Sequence, residues 1–255
     1  MPHHAESAEQ ERSMLTGAPA DIPAGGACAF QLPGDPSAAS HARSLVAVTM
    51  CQLGFTTDSI EDARLAVSEL ATNALTHAAS TAPPELWLWA RTIPTPQLVV
   101  SVFDAHRDTW PTIRNGDLLD EYGKGLSIVT AVSTGTGTHP SRSRLTAAPG
   151  KCVWFTLTLP TAWPQAAQRS TPITPRTAAN RLSAALKARG VPTTCRTDDS
   201  GISILATNTL NIWVEPKAFS WRDGRAYTRQ PLLDIQETAE RIVGYHEAHA
   251  LASPS

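Results

Sequence analysis

The stretch ARLAVSELATNALTHA, residues 63–78, decides how this chain is read. Its apolar residues Leu65, Ala66, Leu70, Ala74 and Ala78 recur at helical spacing, so a helix is expected from Ile60 to about Ala78, capped by Asp58 or Ser59. Glu69, Asn73 and His77 fall at i, i+4 and i+8, one polar stripe on a helix otherwise built from Leu, Val and Ala. A solvated helix face would produce the same stripe. So would one wall of a ligand pocket, and the neighbouring segments bear on that choice.

Working outward, Asp35 and Ser37 offer cap chemistry for a preceding helix, Ala38–Leu53, which Gly54 ends, and a short strand is expected before it at Ala27–Leu32. Downstream, ELWLWAR (Glu85–Arg91) and QLVVSVF (Gln97–Phe103) read as strands joined by a proline-bearing turn. A polar loop from Asp104 to Tyr122 leads through Gly123, Lys124 and Gly125 into a short apolar helix, Leu126–Val132. Two more strands are expected at Gly137–Thr146 and Cys152–Leu159, with Pro149-Gly150 as their turn. This order implies an α+β fold, a two-layer α/β sandwich with helices on one face of a mixed, mostly antiparallel sheet.

Three segments carry chemistry. On the polar stripe, the Asn73 carbonyl is the kind of oxygen ligand that Mg²⁺ takes, and Glu69 one turn earlier is placed to act as a general base. In VVSVFDAHRD (residues 99–108) the strand ends at Asp104, which either forms a turn or accepts a hydrogen bond from adenine's exocyclic amine in an apolar slot. In YGKGLSIV (residues 122–129) two glycines flank Lys124 just before a helix. Glycines let backbone approach a phosphate, and a helix start offers free N–H groups; a plain glycine-rich helix entry has the same appearance. A Walker A loop is absent and the third glycine of a dinucleotide fingerprint is missing, so neither of those folds is expected.

Taken in order, ELATNALTHA, VFD, GKGLSIV and GKCVWF resemble the histidine-kinase-like (GHKL) ATPase superfamily. More narrowly they resemble the anti-sigma-factor serine/threonine kinases and related actinomycete ATP-binding regulators, over about Ala27 to Pro160. The resemblance implies a Bergerat-type ATP-binding fold with ATP and Mg²⁺ as cofactors. It implies that Asn73 coordinates Mg²⁺, that Glu69 is the base activating a protein serine hydroxyl, and that Asp104 hydrogen-bonds adenine. Gly123, Lys124, Gly125 and Leu126 would form the phosphate-side lid and helix start. His77 takes the place of a polar residue near the phosphates, and Cys152 that of an adenine-side threonine, where a thiol bonds more weakly.

Where the superfamily carries D-x-G-x-G, this chain has Asp104, Ala105, His106, Arg107 and Asp108, with His106 at the first glycine. No phosphoacceptor helix pair precedes the domain, so a two-component histidine kinase is not expected. The expected function is an ATP-binding regulator that transfers the γ-phosphate to a serine of an antagonist protein. Its implied partners are a sigma factor or a STAS-type anti-anti-sigma protein, with a homodimer allowed. The alternative is a non-catalytic, ATP-responsive binding module controlling a transcriptional regulator.

Composition sets outer bounds. With 42% hydrophobic and 17% charged residues and a formal net charge of −2, no global basic field draws the chain to nucleic acid or to an anionic membrane. A direct nucleic-acid partner is therefore not expected, although a local basic patch is left open. Cys28, Cys51, Cys152 and Cys195 are far apart without a C-x-x-C pair, which reads as reduced thiols in a cytoplasmic protein rather than zinc or disulfides. The opening MPHHAESAEQERSM holds acidic residues and no apolar core, so no secretory signal is expected, and no apolar run reaches the ~18 residues of a membrane span.

Residues 1–26 are expected to be a disordered arm, 27–160 the ATP-binding domain, 161–175 a Pro/Thr/Ala-rich linker and 176–250 a small α+β domain. In that last unit a helix over Arg176–Arg189 precedes short strands near 193–197, 202–206, 210–214, 218–221 and 226–229, with an Asp223-Gly224 hairpin and a final helix at Ile235–Ala248. Trp213 and Trp221 read as core or edge packing. The unit is expected to bind a partner or to cover an edge of the first sheet.

Overall fold

The computed structural model of the chain describes residues 15–76, 82–107, 124–161, 173–198, 202–224 and 226–252. Strand β1 (Leu15–Thr16) pairs with β2 (Ala27–Gln31), and a 3-10 helix, Pro19–Ala24, connects them. Both β1 and this helix fall within the span expected to be a disordered arm. Burial of Ile22 anchors the turn, and the Gly25 N–H closes it on the Ile22 carbonyl at 3.0 Å. One apolar anchor in a polar stretch was too weak a sequence signal.

Helices α1 (Ala38–Gln52) and α2 (Thr57–Thr76) follow. The cap of α2 is Thr56 rather than Asp58 or Ser59: its hydroxyl accepts the Ser59 N–H at 3.4 Å. Ala63, Ala66, Val67, Leu70, Ala71 and Ala74 form the buried face of α2, at the i, i+3, i+4, i+7 spacing of a core stripe. Leu65 lies off that stripe and is exposed. Strands β3 (Glu85–Arg91) and β4 (Gln97–Asp104), helix α3 (Lys124–Val132) and strands β5 (Gly135–Arg142) and β6 (Pro149–Thr158) complete the unit. The sheet order is β1-β2-β3-β4-β6-β5, and among the described residues each neighbouring pair is antiparallel. The turn between β5 and β6 spans residues 143–148, not Pro149-Gly150. There the Ser143 hydroxyl accepts the N–H groups of Leu145 (3.0 Å) and Thr146 (2.7 Å), which closes the loop earlier.

Alternation along the central strands produces two different surfaces. Leu86, Leu88, Leu98, Val100, Val102 and Phe155 pack with α1, α2 and α3 in one core. Trp87, Trp89, Val99, Phe103 and Cys152 form a second cluster on the opposite face. An antiparallel sheet with apolar residues on both faces needs a cover on each. The second cover is the C-terminal unit.

That unit begins with α4 (Pro175–Ala188), whose cap Thr174 accepts the Thr177 N–H at 3.2 Å, with proline at the first helical position. Strands β7 (Thr194–Thr197), β8 (Ser203–Ala206), β9 (Asn211–Val214), β10 (Ala218–Asp223) and β11 (Ala226–Pro231) then run as an antiparallel meander. The expected hairpin is present, with Asp223 paired to Ala226 and Gly224 at φ 61°. Helix α5 (Ile235–Ala252) closes the chain and lies against β3 and β5 of the first sheet. No described helix is long and apolar enough to cross a membrane.

Candidate functional site

Helices α2 and α3 meet where the sequence places the phosphate side. A Cβ built on Gly125, in the first turn of α3, would fall 2.5 Å from Glu69 Oε2, so the Glu69 carboxylate lies directly against this helix start in the space a side chain would take. A helix N-terminus carries free N–H groups and the positive end of the dipole, which favours the carboxylate there. Asn73 sits one turn further along α2 and is half-buried, as is Glu69. Leu126 packs partly buried against the helix-side core at the start of α3. Lys124 is the first residue of α3. Its side chain, together with His77 and Gly123, lies outside the described residues.

Asp104 ends β4 on the face that carries the helices, because it shares parity with Leu98, Val100 and Val102. It is buried, and both of its oxygens are engaged. Oδ1 accepts the His106 N–H at 2.8 Å, and Oδ2 accepts from Lys151 Nζ at 2.7 Å. Lys151 also donates to the His106 carbonyl. Lys151 is the residue that reading the sequence missed. It stands directly opposite Asp104 in the β4–β6 register, and the signal was its parity with Val153 and Phe155.

Cys152 is a correction for the same reason. One residue along β6 from Lys151, it points to the other face, fully buried in the tryptophan cluster and 3.8 Å from Glu240 Oε1. Burial first, and Glu240 second, push its thiol well above the ordinary range. It therefore faces away from the side of the sheet that carries Asp104, against the expectation of an adenine-side role beside that residue.

On that other face the two units are joined by buried charge. Glu240 of α5 pairs with Arg189 of its own unit and reaches across to the first unit, pairing with Arg144 (3.2 Å) and accepting from His139 (3.0 Å) and the Ser141 hydroxyl. Burial alone would raise its carboxyl, but Arg189, the His139 hydrogen bond and Arg144 hold it well below the usual carboxylate range. Burial, reinforced by Arg189, lowers Arg144 to about 10. Glu237 accepts from Trp89 Nε1 at 3.0 Å, and Glu247 meets Arg142 at 3.1 Å. Asp234 accepts the Thr92 N–H at 2.9 Å and the Thr92 hydroxyl at 2.9 Å. Burial raises its carboxyl to about 6 against the pull of those hydrogen bonds.

His139, Cys152 and Glu240 bring three ligand-type atoms within 4.8 Å of one another. The arrangement does not fit a metal. Trp154 Nε1–H donates to His139 Nδ1 at 3.2 Å, which places the ring proton on Nε2, where it is donated to Glu240 instead of leaving a lone pair for an ion. Two guanidinium groups on the same carboxylate oppose a second cation. The cluster is an interdomain joint. On the helix side, Asn73 and Glu69 are half-buried oxygen-bearing residues one turn apart on α2, the donor type that Mg²⁺ takes. No protein-family model and no curated protein matches the chain.

Proposed function

We propose that the chain is an ATP-binding regulatory protein acting as a serine/threonine protein kinase of the anti-sigma-factor type. The observation that carries this reading is the Glu69 carboxylate set against Gly125 at the start of α3, with Asn73 one turn along α2. In this reading Asn73 holds Mg²⁺, which neutralises phosphate charge when bound. The free N–H groups at the start of α3 orient the terminal phosphate. Glu69 takes the proton from the acceptor serine Oγ as that oxygen attacks the γ-phosphorus and ADP departs. The acceptor is a serine of a STAS-type antagonist, and the controlled partner is a sigma factor.

Incubation with γ-labelled ATP, Mg²⁺ and STAS-domain proteins tests the step. Phosphoserine on the antagonist, lost at least about a hundredfold in Glu69→Gln with ATP affinity kept within about threefold, is the expected result. ATP binding without phosphoserine on any antagonist overturns the kinase. The buried Asp104–Lys151 pair favours a second reading, a non-catalytic ATP-responsive module, because the carboxylate that would read adenine already holds an ammonium. That reading is preferred if wild type and Glu69→Gln control their partner equally well.

A further inference from the structure

The outward face of the C-terminal sheet is not accounted for by the nucleotide site or by the interdomain joint. Phe219, Trp221, Ile212, Val214 and Leu205 face α4 and α5 and are buried among them. The alternate residues point the other way. Following the strand registers across the sheet, Arg196 pairs with Ile204, Ile204 with Trp213, Trp213 with Ser220, and Ser220 with Arg229. These residues form one row spanning all five strands, with a tryptophan at its centre and an arginine at each end. Trp213 is 48% exposed, and Tyr227, opposite Arg222 on the same face, is 57% exposed. Trp213 and Trp221 therefore part company: Trp221 is core, whereas Trp213 is half open to solvent.

Four acids of this unit, Asp234, Glu237, Glu240 and Glu247, are buried, whereas Asp198, Glu215 and Asp223 remain on or beside the meander at the strand ends. Arg196, Arg222 and Arg229 stand exposed on the distal face, where Glu215 meets Arg229 at 3.4 Å and offsets part of the positive charge. A net charge of −2 for the whole chain thus conceals a sheet face on which exposed arginines, in slight excess over Glu215 and Asp198, stand beside exposed aromatic rings.

We propose that this face binds single-stranded nucleic acid, with Trp213 and Tyr227 stacking on bases and the arginines meeting phosphates. Rings interleaved with guanidinium groups suit a ligand that is both anionic and flat-faced. A duplex keeps its bases stacked inside and offers these rings nothing to stack on. An apolar protein partner would call for a contiguous apolar patch, which the arginines interrupt.

The test is fluorescence anisotropy of the full chain with labelled single-stranded RNA and single-stranded DNA of about 20 nucleotides, and with a duplex of the same sequence. Saturable binding to one or both single strands is expected, weaker to duplex and falling steeply with added salt. Trp213→Ala and Arg196→Glu should each weaken it by about tenfold. Both positions are exposed, and an unchanged melting temperature confirms that the variants fold. The RNA and DNA arms distinguish the two sources of the strand. No saturation up to about 100 µM at low salt overturns the proposal, and so does unchanged affinity in Trp213→Ala. Equal displacement of the strand by poly-glutamate overturns it as simple anion attraction. A dimer that Trp213→Ala dissolves, without oligonucleotide binding, overturns it in favour of a second copy of the chain.

Discussion

The two faces of the first sheet are built from alternate residues of the same strands, yet they are held by different physics. Beneath it, Leu86, Leu88, Val100 and Val102 meet three helices through aliphatic packing, and the buried ion pair described there is Asp104–Lys151. Above it, Trp87 stacks on Phe103 at 5.1 Å, with Arg144 and Arg189 over the same indole at 4.9 and 5.0 Å. Carboxylates of α5 then close over those arginines. Aliphatic packing is tolerant of partner and register. A buried carboxylate between two guanidinium groups is satisfied in one geometry only, and any other docking would strand a charge. The helix face therefore supplies stability around a site, and the opposite face specifies where the second unit sits.

The sharpest way to break this contrast is Glu240→Gln. It removes the countercharge of Arg189 and Arg144 while keeping the shape, and it should cost about 3–5 kcal/mol in urea unfolding. A loss below about 1 kcal/mol would mean that the tryptophan plate alone holds the units together.

Lys151→Ala probes the helix face in the same way and should cost about 2–3 kcal/mol, since Asp104 keeps the His106 N–H. Under the proposed nucleotide-binding reading it should also raise affinity for ATP by about threefold to tenfold in calorimetric titration, because a carboxylate oxygen would be freed for adenine. Weaker binding instead would make Lys151 itself a ligand contact.

The smallest effect concerns pH. Asp234 has its carboxyl raised from 3.8 to about 6, so the folded chain binds more protons than the unfolded one between those values. Stability from this group is present below about pH 4 and is lost as pH rises through about 6, by at most about 3 kcal/mol. Glu240 is depressed, so its contribution runs the opposite way and disappears only under strongly acidic conditions. Unfolding measured from pH 5 to 7 reads the last part of that loss and should show a falling limb of about 1 kcal/mol that Asp234→Asn abolishes. A limb that survives in the variant would assign it to another group.

Much of this was legible in the residues. The bounds of β3 and the starts of β4, α1 and α5 follow from periodicity and turn chemistry, and Glu69 with Asn73 stood out as polar positions on an apolar helix. Two clues to the third layer were also present. ELWLWAR and QLVVSVF are apolar on both faces, which asks for a second cover. Along α5, Glu237, Glu240, Gly244 and Glu247 fall at i, i+3, i+7 and i+10, a single face that resembles a solvated stripe until the basic residues of β5 and its turn are set against it. Gly244 is the close point of that contact, where a Cβ would lie 3.3 Å from the Pro140 carbonyl.

The amino-acid sequence by itself determined the elements, their order and the apolar parity of the central strands, because those follow from local periods of 3.6 and 2. Which charged residues would be buried was decided only by the tertiary structure. Asp104 meets Lys151 across 47 residues within the first unit, while Glu240 meets Arg144 across 96 and Glu247 meets Arg142 across 105 between the units. Pairing at that range depends on strand register and docking, which no local pattern encodes, so the α5 carboxylates that resemble a solvated stripe in the chain became the bond between its two halves.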